Sequence, residues 1–134
     1  MDNNKVYVFR LKPGEDLRTS IEAIVKEKNI EAGWINTCVG SLTDYTIRFA
    51  NQQEGIHGSG HFEILSLTGT VSVNGCHLHI SISDSTGKTI GGHLLEGCMI
   101  YTTAEIVIGT TSAYEFSRKK DETTEWEELQ VHEK

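Results

Sequence analysis

The sequence contains neither a long apolar run nor more than three cysteines. No window approaches the roughly 20 apolar residues that cross a bilayer, and the N-terminus lacks the basic and apolar segments of a signal peptide. Three cysteines cannot all pair within one chain, and Cys38, Cys76 and Cys98 show no C-x-x-C spacing. Because they lie in apolar, strand-like runs, they are interpreted as buried thiols of a reducing compartment. We therefore expect a soluble, cytoplasmic protein without a membrane partner.

An excess of positive charge is also absent. Twelve Lys and Arg residues stand against nineteen Asp and Glu residues, which gives a formal net charge of −7. Surfaces that bind phosphates neutralise them with clustered Lys and Arg, so the composition argues against a broad nucleic-acid-binding surface. The sequence also contains no nucleophile elbow, phosphate loop or nucleotide-binding fingerprint.

The length and the apolar pattern predict one α+β domain. A chain of 134 residues can bury a core without disulfides or a structural metal, so residues 1–134 are expected to form one domain with a frayed C-terminal end. After the turn pair Pro13-Gly14, apolar residues at helical spacing predict the one convincing helix. Its apolar stripe consists of Leu17, Ile21, Ile24 and Val25.

The rest of the sequence is strand-like. Thirteen glycines and a single proline suit many turns and bulges in a strand-rich domain. A polar, glycine-rich loop is expected at residues 51–60. The predicted strands cover residues 5–11, 33–42, 45–50, 62–73, 76–83, 89–95 and 99–109, with a last one near residues 126–131.

Half of the six histidines fall in one short strand-like segment that follows a hairpin signal. The pair Asn74-Gly75 predicts a two-residue type I′ turn, because both central residues of that turn need positive φ. Such a turn would place His77 opposite Ser72 and His79 opposite Thr70.

A second turn brings the third histidine alongside. The loop from Asp84 to Lys88 suits a three-residue connection in which Gly87 takes the left-handed position. If Asp84 faces Lys88, His79 faces His93. A slip of one residue at this turn would instead put His93 on the core side of the sheet.

The three histidines are therefore candidates for a metal site. Side chains alternate across a strand, so the imidazoles share one polar face while the intervening apolar residues face the core. Opposed residues have Cβ atoms about 5 Å apart, which allows three imidazoles to converge on one ion and leaves a fourth coordination position open. Zinc is the expected ion, and iron or nickel would also suit imidazole ligands. The alternative is an exposed sheet face that merely tolerates polar residues. The candidate ligands are His77, His79 and His93.

Two carboxylates are candidates for a general base or for a residue that supports the metal ligands. Glu96 follows the histidine segment in GGHLLEG, and Glu105 interrupts the apolar strand TTAEIVI. A buried carboxylate needs a partner, so burial of Glu105 would indicate function, whereas an outward-facing position would be structurally ordinary. His57 and His61 lie on either side of GSG. Either residue could supply a fourth metal ligand, and the alternative is that both are ordinary loop residues.

Two arginines and a glycine pair also have alternative interpretations. Arg10 and Arg48 lie in strand-like runs and could hold a carboxylate or another anion, or they could be edge charges that discourage aggregation. Gly91-Gly92, directly before His93, leaves room for a backbone or a ligand to approach. The alternative for this pair is a bulge that bends the strand.

The segments GWINTCVGSL, GHFEILSLTGTV, HLHISISDSTGKTIGGHLLEG and TTAEIVI together resemble the PPC domain, named for its occurrence in plants and prokaryotes. The resemblance runs over nearly the whole chain. It implies a mixed, mostly antiparallel sheet with one main helix, assembled as a homotrimer. Stand-alone prokaryotic members resemble proteins in which the histidines of H-x-H-x-S-x-x-D and G-G-H-L bind a metal ion near the subunit boundary. Carried over, these ligands are His77, His79 and His93.

The plant members of the family attach the domain to an AT-hook, an R-G-R-P motif, and act as nuclear DNA-binding regulators. The present sequence contains no AT-hook and is acidic, so direct DNA binding is not expected even though the family label is DNA-binding or regulatory. The plant G-R-F-E-I-L stretch corresponds to residues 60–65, where His61 takes the place of the arginine. The planar set of N–H donors of the guanidinium is therefore missing at this position.

Three functional hypotheses follow. The first is a stand-alone, homotrimeric PPC-domain protein with a regulatory family label and a divalent metal at the histidines. The second is a metal-dependent enzyme that acts on a small polar substrate, with Glu96 or Glu105 as base. The third is a trimeric interaction module in which the histidine face is a subunit interface without metal.

Overall fold

Eight strands and one helix make up residues 3–134, the part of the chain that this computed structural model describes. None of these residues belongs to a helix with the length and apolarity needed to cross a bilayer. The elements are β1 (Asn4–Leu11), α1 (Leu17–Glu27), β2 (Gly33–Arg48), β3 (Ile56–Val71), β4 (His77–Ser83), β5 (Thr89–Leu94), β6 (Met99–Thr111), β7 (Tyr114–Lys120) and β8 (Glu127–Glu133).

Six strands form one sheet in the order β1-β6-β2-β3-β4-β5, and β7 and β8 form a separate hairpin. The strand pairings of the described residues are antiparallel, which confirms the prediction of a mostly antiparallel sheet with one helix. The end of β2 also pairs with β5, through Ile47 opposite Leu94 and Arg48 opposite His93. Strands β2, β3, β4 and β5 therefore form a closed ring of pairings, in which β5 lies between β4 and the end of β2.

The helix supplies one side of the core, as its spacing predicts. Asp16 caps its N-terminus, because its carboxylate accepts a hydrogen bond from the Thr19 amide at 2.9 Å. Leu17, Ile21 and Val25 are fully buried. They belong to one cluster with the inward-facing residues of the sheet, and each such side chain stabilises the fold by about 1.5–3 kcal/mol.

The three cysteines are free thiols, as predicted. Cys38 and Cys98 are buried, and Cys76 is half-buried. Burial raises the pKa of Cys38 to about 12 and that of Cys98 to about 11. These two thiols are therefore protonated and unreactive at neutral pH.

The predicted boundaries of two strands are wrong. The segments 33–42 and 45–50 form the single strand β2, in which the register shifts between Leu42 and Asp44. A bulge of this kind interrupts the alternation of side chains without ending the strand, so the sequence pattern looked like two strands. The predicted loop 51–60 is also too long, because β3 already begins at Ile56.

The C-terminal hairpin was only half predicted. β8 lies near the predicted position, but β7 was missed because its sequence YEFSRKK is polar and charged. The amide of Phe116 donates to Glu31 O at 2.9 Å, and the Phe116 carbonyl accepts from Ser72 Oγ at 3.1 Å. β8 continues to Glu133, and the Lys134 amide donates to Ala113 O at 2.9 Å.

Candidate metal centre

The predicted turn at Asn74-Gly75 is wrong in length. β3 ends at Val71 and β4 begins at His77, and Asn74 lacks the positive φ that a type I′ turn requires. Only Gly75 has a positive φ, of 137°. A tertiary contact explains the longer connection, because the side chains of Ser72 and Asn74 both donate to the carbonyl of Phe116 in the hairpin.

The longer turn shifts the register by two residues. His77 lies opposite Thr70, and His79 lies opposite Thr68. Because side chains alternate with a period of two, a shift of two leaves every side chain on its predicted face. The two histidines therefore still point away from the core, while Leu78 is fully buried.

The second turn is confirmed in detail. Gly87 has a φ of 86°, and Asp84 N donates to Lys88 O at 2.9 Å. The Asp84 carboxylate accepts hydrogen bonds from the amides of Thr86 and Lys88 at 2.9 and 3.0 Å, which fixes the loop locally. His79 consequently lies directly opposite His93.

The three imidazoles converge as the turns predict. His77, His79 and His93 each offer one ring nitrogen, and these nitrogens all lie within 4.8 Å of one another. The Nε2 atoms of His77 and His79 are 3.2 Å apart. Two nitrogens bound at about 2 Å to one tetrahedral ion are separated by about 3.3 Å, so this spacing fits a shared ion. The donor set is suited to zinc, iron or nickel.

The environment keeps two of the rings in the form that binds a metal. Burial and the nearby Arg48 guanidinium lower the pKa of His93 to about 4. Burial and the neighbouring His79 ring lower the pKa of His77. Both rings are therefore neutral near pH 7, and a neutral imidazole has the free lone pair that a metal requires.

The glycine pair positions the strand that carries His93. A Cβ at Gly92 would lie 2.5 Å from Arg48 O, and one at Gly91 would lie 2.7 Å from Ile80 O. Both distances are shorter than side chains tolerate. Of the two interpretations of this pair, close backbone approach is confirmed, because it lets β5 fit between β4 and the end of β2.

Arg18 ties the two histidine strands to the helix. Its Nη1 donates to Leu94 O at 2.7 Å and its Nη2 donates to Cys76 O at 3.1 Å. Its Nε lies 3.3 Å from Glu22 Oε1. Because Leu94 follows His93 and Cys76 precedes His77, the guanidinium fixes both backbones next to the candidate ligands.

The histidines form part of the wall of a cavity of about 970 Å³. Its opposite wall comes from the β7–β8 hairpin. The Arg118 Nη2 reaches Thr70 Oγ1 at 3.0 Å, and the Arg48 guanidinium lies 4.9 Å from the centre of the Trp126 ring. Besides the histidines, the charged residues and the tryptophan that line this cavity are Arg18, Glu22, Arg48, Arg118, Trp126, Glu127 and Glu128.

The two candidate bases lie elsewhere. Glu96 is exposed beyond the end of β5, and Glu105 is exposed on β6, where it faces outward opposite Arg10 and Val39. Neither residue lines the histidine cavity. Glu105 thus has the structurally ordinary, outward-facing position.

His57 and His61 also lie outside the cavity. The Nδ1 of His57 is 3.1 Å from Thr46 Oγ1, and its Nε2 is 3.4 Å from Asp44 Oδ2. His61 stacks on Tyr101 with ring centres 4.6 Å apart. Within one chain, the structure does not bring either ring to the other three histidines.

Sequence reasoning missed several cavity residues. Arg18 and Arg118 were given no role from the sequence, and Trp126 and Glu128 were predicted only as part of the last strand. The available signal was weak: a single tryptophan at the start of a predicted strand with charged residues on both sides.

Comparisons with known proteins identify the family and the fold of the chain. The family model of the Plants and Prokaryotes Conserved (PCC) domain matches residues 1–112. Two curated relatives from Synechococcus, strains JA-3-3Ab and JA-2-3B'a(2-13), are named bifunctional protein GlmU and are 43% and 42% identical over 127 residues. Those alignments cover 95% of this chain but 20% of each relative, so the chain spans about a fifth of their length.

Solved structures share the fold over nearly the full length. A hypothetical protein from Salmonella cholerae-suis is 37% identical with a TM-score of 0.96, covering 100% of this chain and 97% of that chain. A metal-containing protein from Archaeoglobus fulgidus is 29% identical with a TM-score of 0.80, covering 94% and 93%. A protein from Bacteroides thetaiotaomicron, described as a candidate DNA-binding protein, is 25% identical with a TM-score of 0.82, covering 97% and 93%.

Proposed function

Because the chain belongs to the Plants and Prokaryotes Conserved domain family, we propose that it is a trimeric protein that binds a divalent metal ion at His77, His79 and His93. The observation that carries the proposal is the 3.2 Å separation of two Nε2 atoms with a third ring nitrogen within reach. The metal-containing relative from Archaeoglobus fulgidus supports it.

Zinc is the ion that this site would prefer, and iron or nickel would also fit. All three ligands are borderline nitrogen donors, and no thiolate or carboxylate completes the set among the described residues. Three protein ligands leave a position for water or a ligand, which the metal would polarise. That position would face the cavity, so a small-molecule ligand is expected.

Assembly as a homotrimer is supported by an apolar surface that the chain itself leaves uncovered. We call it the valine face and define it by Val6, Val8, Val39 and Val107 of the sheet. Val8 and Val39 are 74% and 55% exposed, and Val8 lies directly opposite Val107. Contacts between copies would bury this surface, and apolar burial is the main driving force of association.

A regulatory role follows the family label, and direct binding to DNA is not expected. The net charge of −7 opposes phosphate neutralisation, and the arginines nearest the histidines lie in the cavity instead of forming a broad basic surface. A gel shift with AT-rich duplex at physiological salt tests this directly. Tight binding there would favour a DNA-binding role.

Elemental analysis of the purified protein tests the metal proposal. Wild-type protein should carry about one ion per chain, and His79→Ala should carry almost none. Ser81→Ala is the matched control, because Ser81 lies on the same face of β4 but bonds to Ser66 Oγ at 2.7 Å. Equal metal content in wild type and His79→Ala would contradict the ligand assignment. Absence of metal from both would favour an interaction module.

A metal-dependent enzyme acting on a small polar substrate is the second candidate, and the size of the cavity beside the histidines favours it. Glu96 and Glu105 would have to act from a neighbouring subunit, because neither lines the cavity of its own chain. Glu128 does line it. Hydrolase and decarboxylase panels on metal-loaded protein, with Glu128→Gln beside Glu105→Gln, would test which carboxylate acts as base.

A further inference from the structure

Positive charge is concentrated on the His93 side of the histidine cluster. Arg48 and His93 are directly opposed on β2 and β5, so their side chains share one face. Arg18 and Arg48 both line the cavity beside the histidines. A metal ion would add two more positive charges at this point.

Of the two arginines nearest His93, Arg48 and Arg18, Arg48 has more unused hydrogen-bonding capacity. Its Nη1 donates to Gln52 O at 3.3 Å, and its planar group stacks on Trp126. None of the ion pairs among residues 3–134 includes it. Arg18 differs, since it already holds Glu22 and two backbone carbonyls. Stacking on Trp126 also limits the rotation of the Arg48 fork.

The acidic groups of the cavity lie in other places. Glu22 is paired with Arg18. Glu128 lines the cavity from β8. Glu127 lines the cavity from the hairpin. Arg48 is therefore the positive group directly opposite His93, whereas the hairpin contributes Arg118 as well as Glu127 and Glu128.

We propose that a carboxylate or phosphate group of a small molecule binds between the open position of the metal and the guanidinium of Arg48. The proposal rests on the metal site proposed above. An oxyanion would bind the metal through one oxygen and accept charge-assisted hydrogen bonds from the arginine through the others. The cavity of about 970 Å³ has the size of a small-molecule site, so the anion is one end of a larger ligand.

Calorimetric titration of metal-loaded protein with inorganic phosphate and with acetate tests the proposal. We expect at least one probe to bind wild type, and the better probe identifies the preferred oxyanion. Arg48→Gln should weaken that probe about tenfold or more, because hydrogen bonds to charged groups are the strong ones. Metal content, measured before each titration, should be unchanged in this variant.

Two controls separate the local contact from other causes. Lys26→Gln removes one positive charge from the exposed face of α1, outside the cavity, and should bind the probe as wild type does. Metal-free wild type should bind it much more weakly. Failure of both probes to bind metal-loaded wild type would overturn the proposal. Wild-type affinity in Arg48→Gln or in metal-free protein would also overturn it. Lack of metal in the purified protein would instead defeat the metal site itself.

Discussion

The histidine face, formed by His77, His79 and His93, and the valine face lie on the same side of one sheet, opposite the core. The histidine face is covered by the β7–β8 hairpin of its own chain, which leaves a cavity lined by several charged residues between them. Among the described residues, the exposed side chains of Val6 and Val8 have no comparable cover. One surface of the sheet therefore has a part that the chain covers and a part that it leaves exposed.

The difference teaches that each surface is suited to a different kind of partner. Ionisable rings near arginines are costly to bury against another protein, but they can hold ions and anions in a water-filled cavity. Exposed valines form no favourable contacts with small polar ligands. Contact with an apolar protein surface removes them from water, which favours association. We therefore expect ligands at one face and neighbouring subunits at the other, and each prediction below tests one side of this contrast.

The largest expected effect is metal-linked stability at the histidine face. A ligand that binds only the folded state at 100 times its Kd stabilises it by about 2.7 kcal/mol, which corresponds to a rise in Tm of about 10 °C for a domain of this size. Thermal unfolding with and without added zinc should show this rise in wild type. The double variant His77→Ala/His79→Ala should show no rise, and a full rise in that variant would place the ion elsewhere.

Loss of self-association is the expected effect at the valine face. Val8→Glu puts a charge where a neighbouring subunit would bury an apolar side chain, so we expect light scattering to show monomers instead of trimers. Val131→Glu is the control, because Val131 is 55% exposed but lies on the hairpin. Metal content should be the same in both variants if the two faces act separately. Monomeric wild-type protein would contradict the trimer.

A lowered pKa is expected for the His93 imidazole in metal-free protein. Its pKa is about 4 in the folded state against an ordinary value of 6.5, so the unfolded chain binds a proton first as the pH falls. Stability should therefore decrease between about pH 6.5 and pH 4 and change no further from this group below that range. NMR titration of the imidazole measures the pKa, and His93→Gln should flatten the decrease. A ring that titrates near 6.5 would contradict the prediction.

The smallest effect is expected at the contact that holds the hairpin over the histidines. Trp126→Ala removes the stacking with Arg48, which is worth about 0.5–1 kcal/mol at an exposed site. Urea unfolding should show a loss of that size. Tyr114→Ala, also on the hairpin and 40% exposed, should change the free energy of unfolding less. Equal losses would show that the stacking contributes nothing specific.

Local chemistry explains which parts of the fold could be predicted. The burial of Leu17, Ile21 and Val25 follows from helical spacing alone. The loop at Asp84 closes through its own carboxylate and Gly87, so neighbouring residues determine it. Both features were predicted correctly because every group that forms them lies within a few residues along the chain.

Long-range contacts explain the errors. The turn at Asn74 is longer than its sequence indicates because Asn74 Nδ2 donates to Phe116 O at 2.8 Å, 42 residues away. Arg18 looks like a solvent-exposed helix residue, yet it donates to Leu94 O, 76 residues away. In β7 the alternation stops after Tyr114 and Phe116, and charged residues follow, so its place is set by pairing with β8.

By itself, the sequence determined that three histidines share one face, because strand alternation has a period of two and a two-residue error in register preserves it. Only the tertiary structure decided what surrounds them. The pairing of β2 with β5 places Arg48 beside His93, and the hairpin brings Trp126 over that arginine. These residues are far apart along the chain, and closure of the sheet on one buried core is what brings them together.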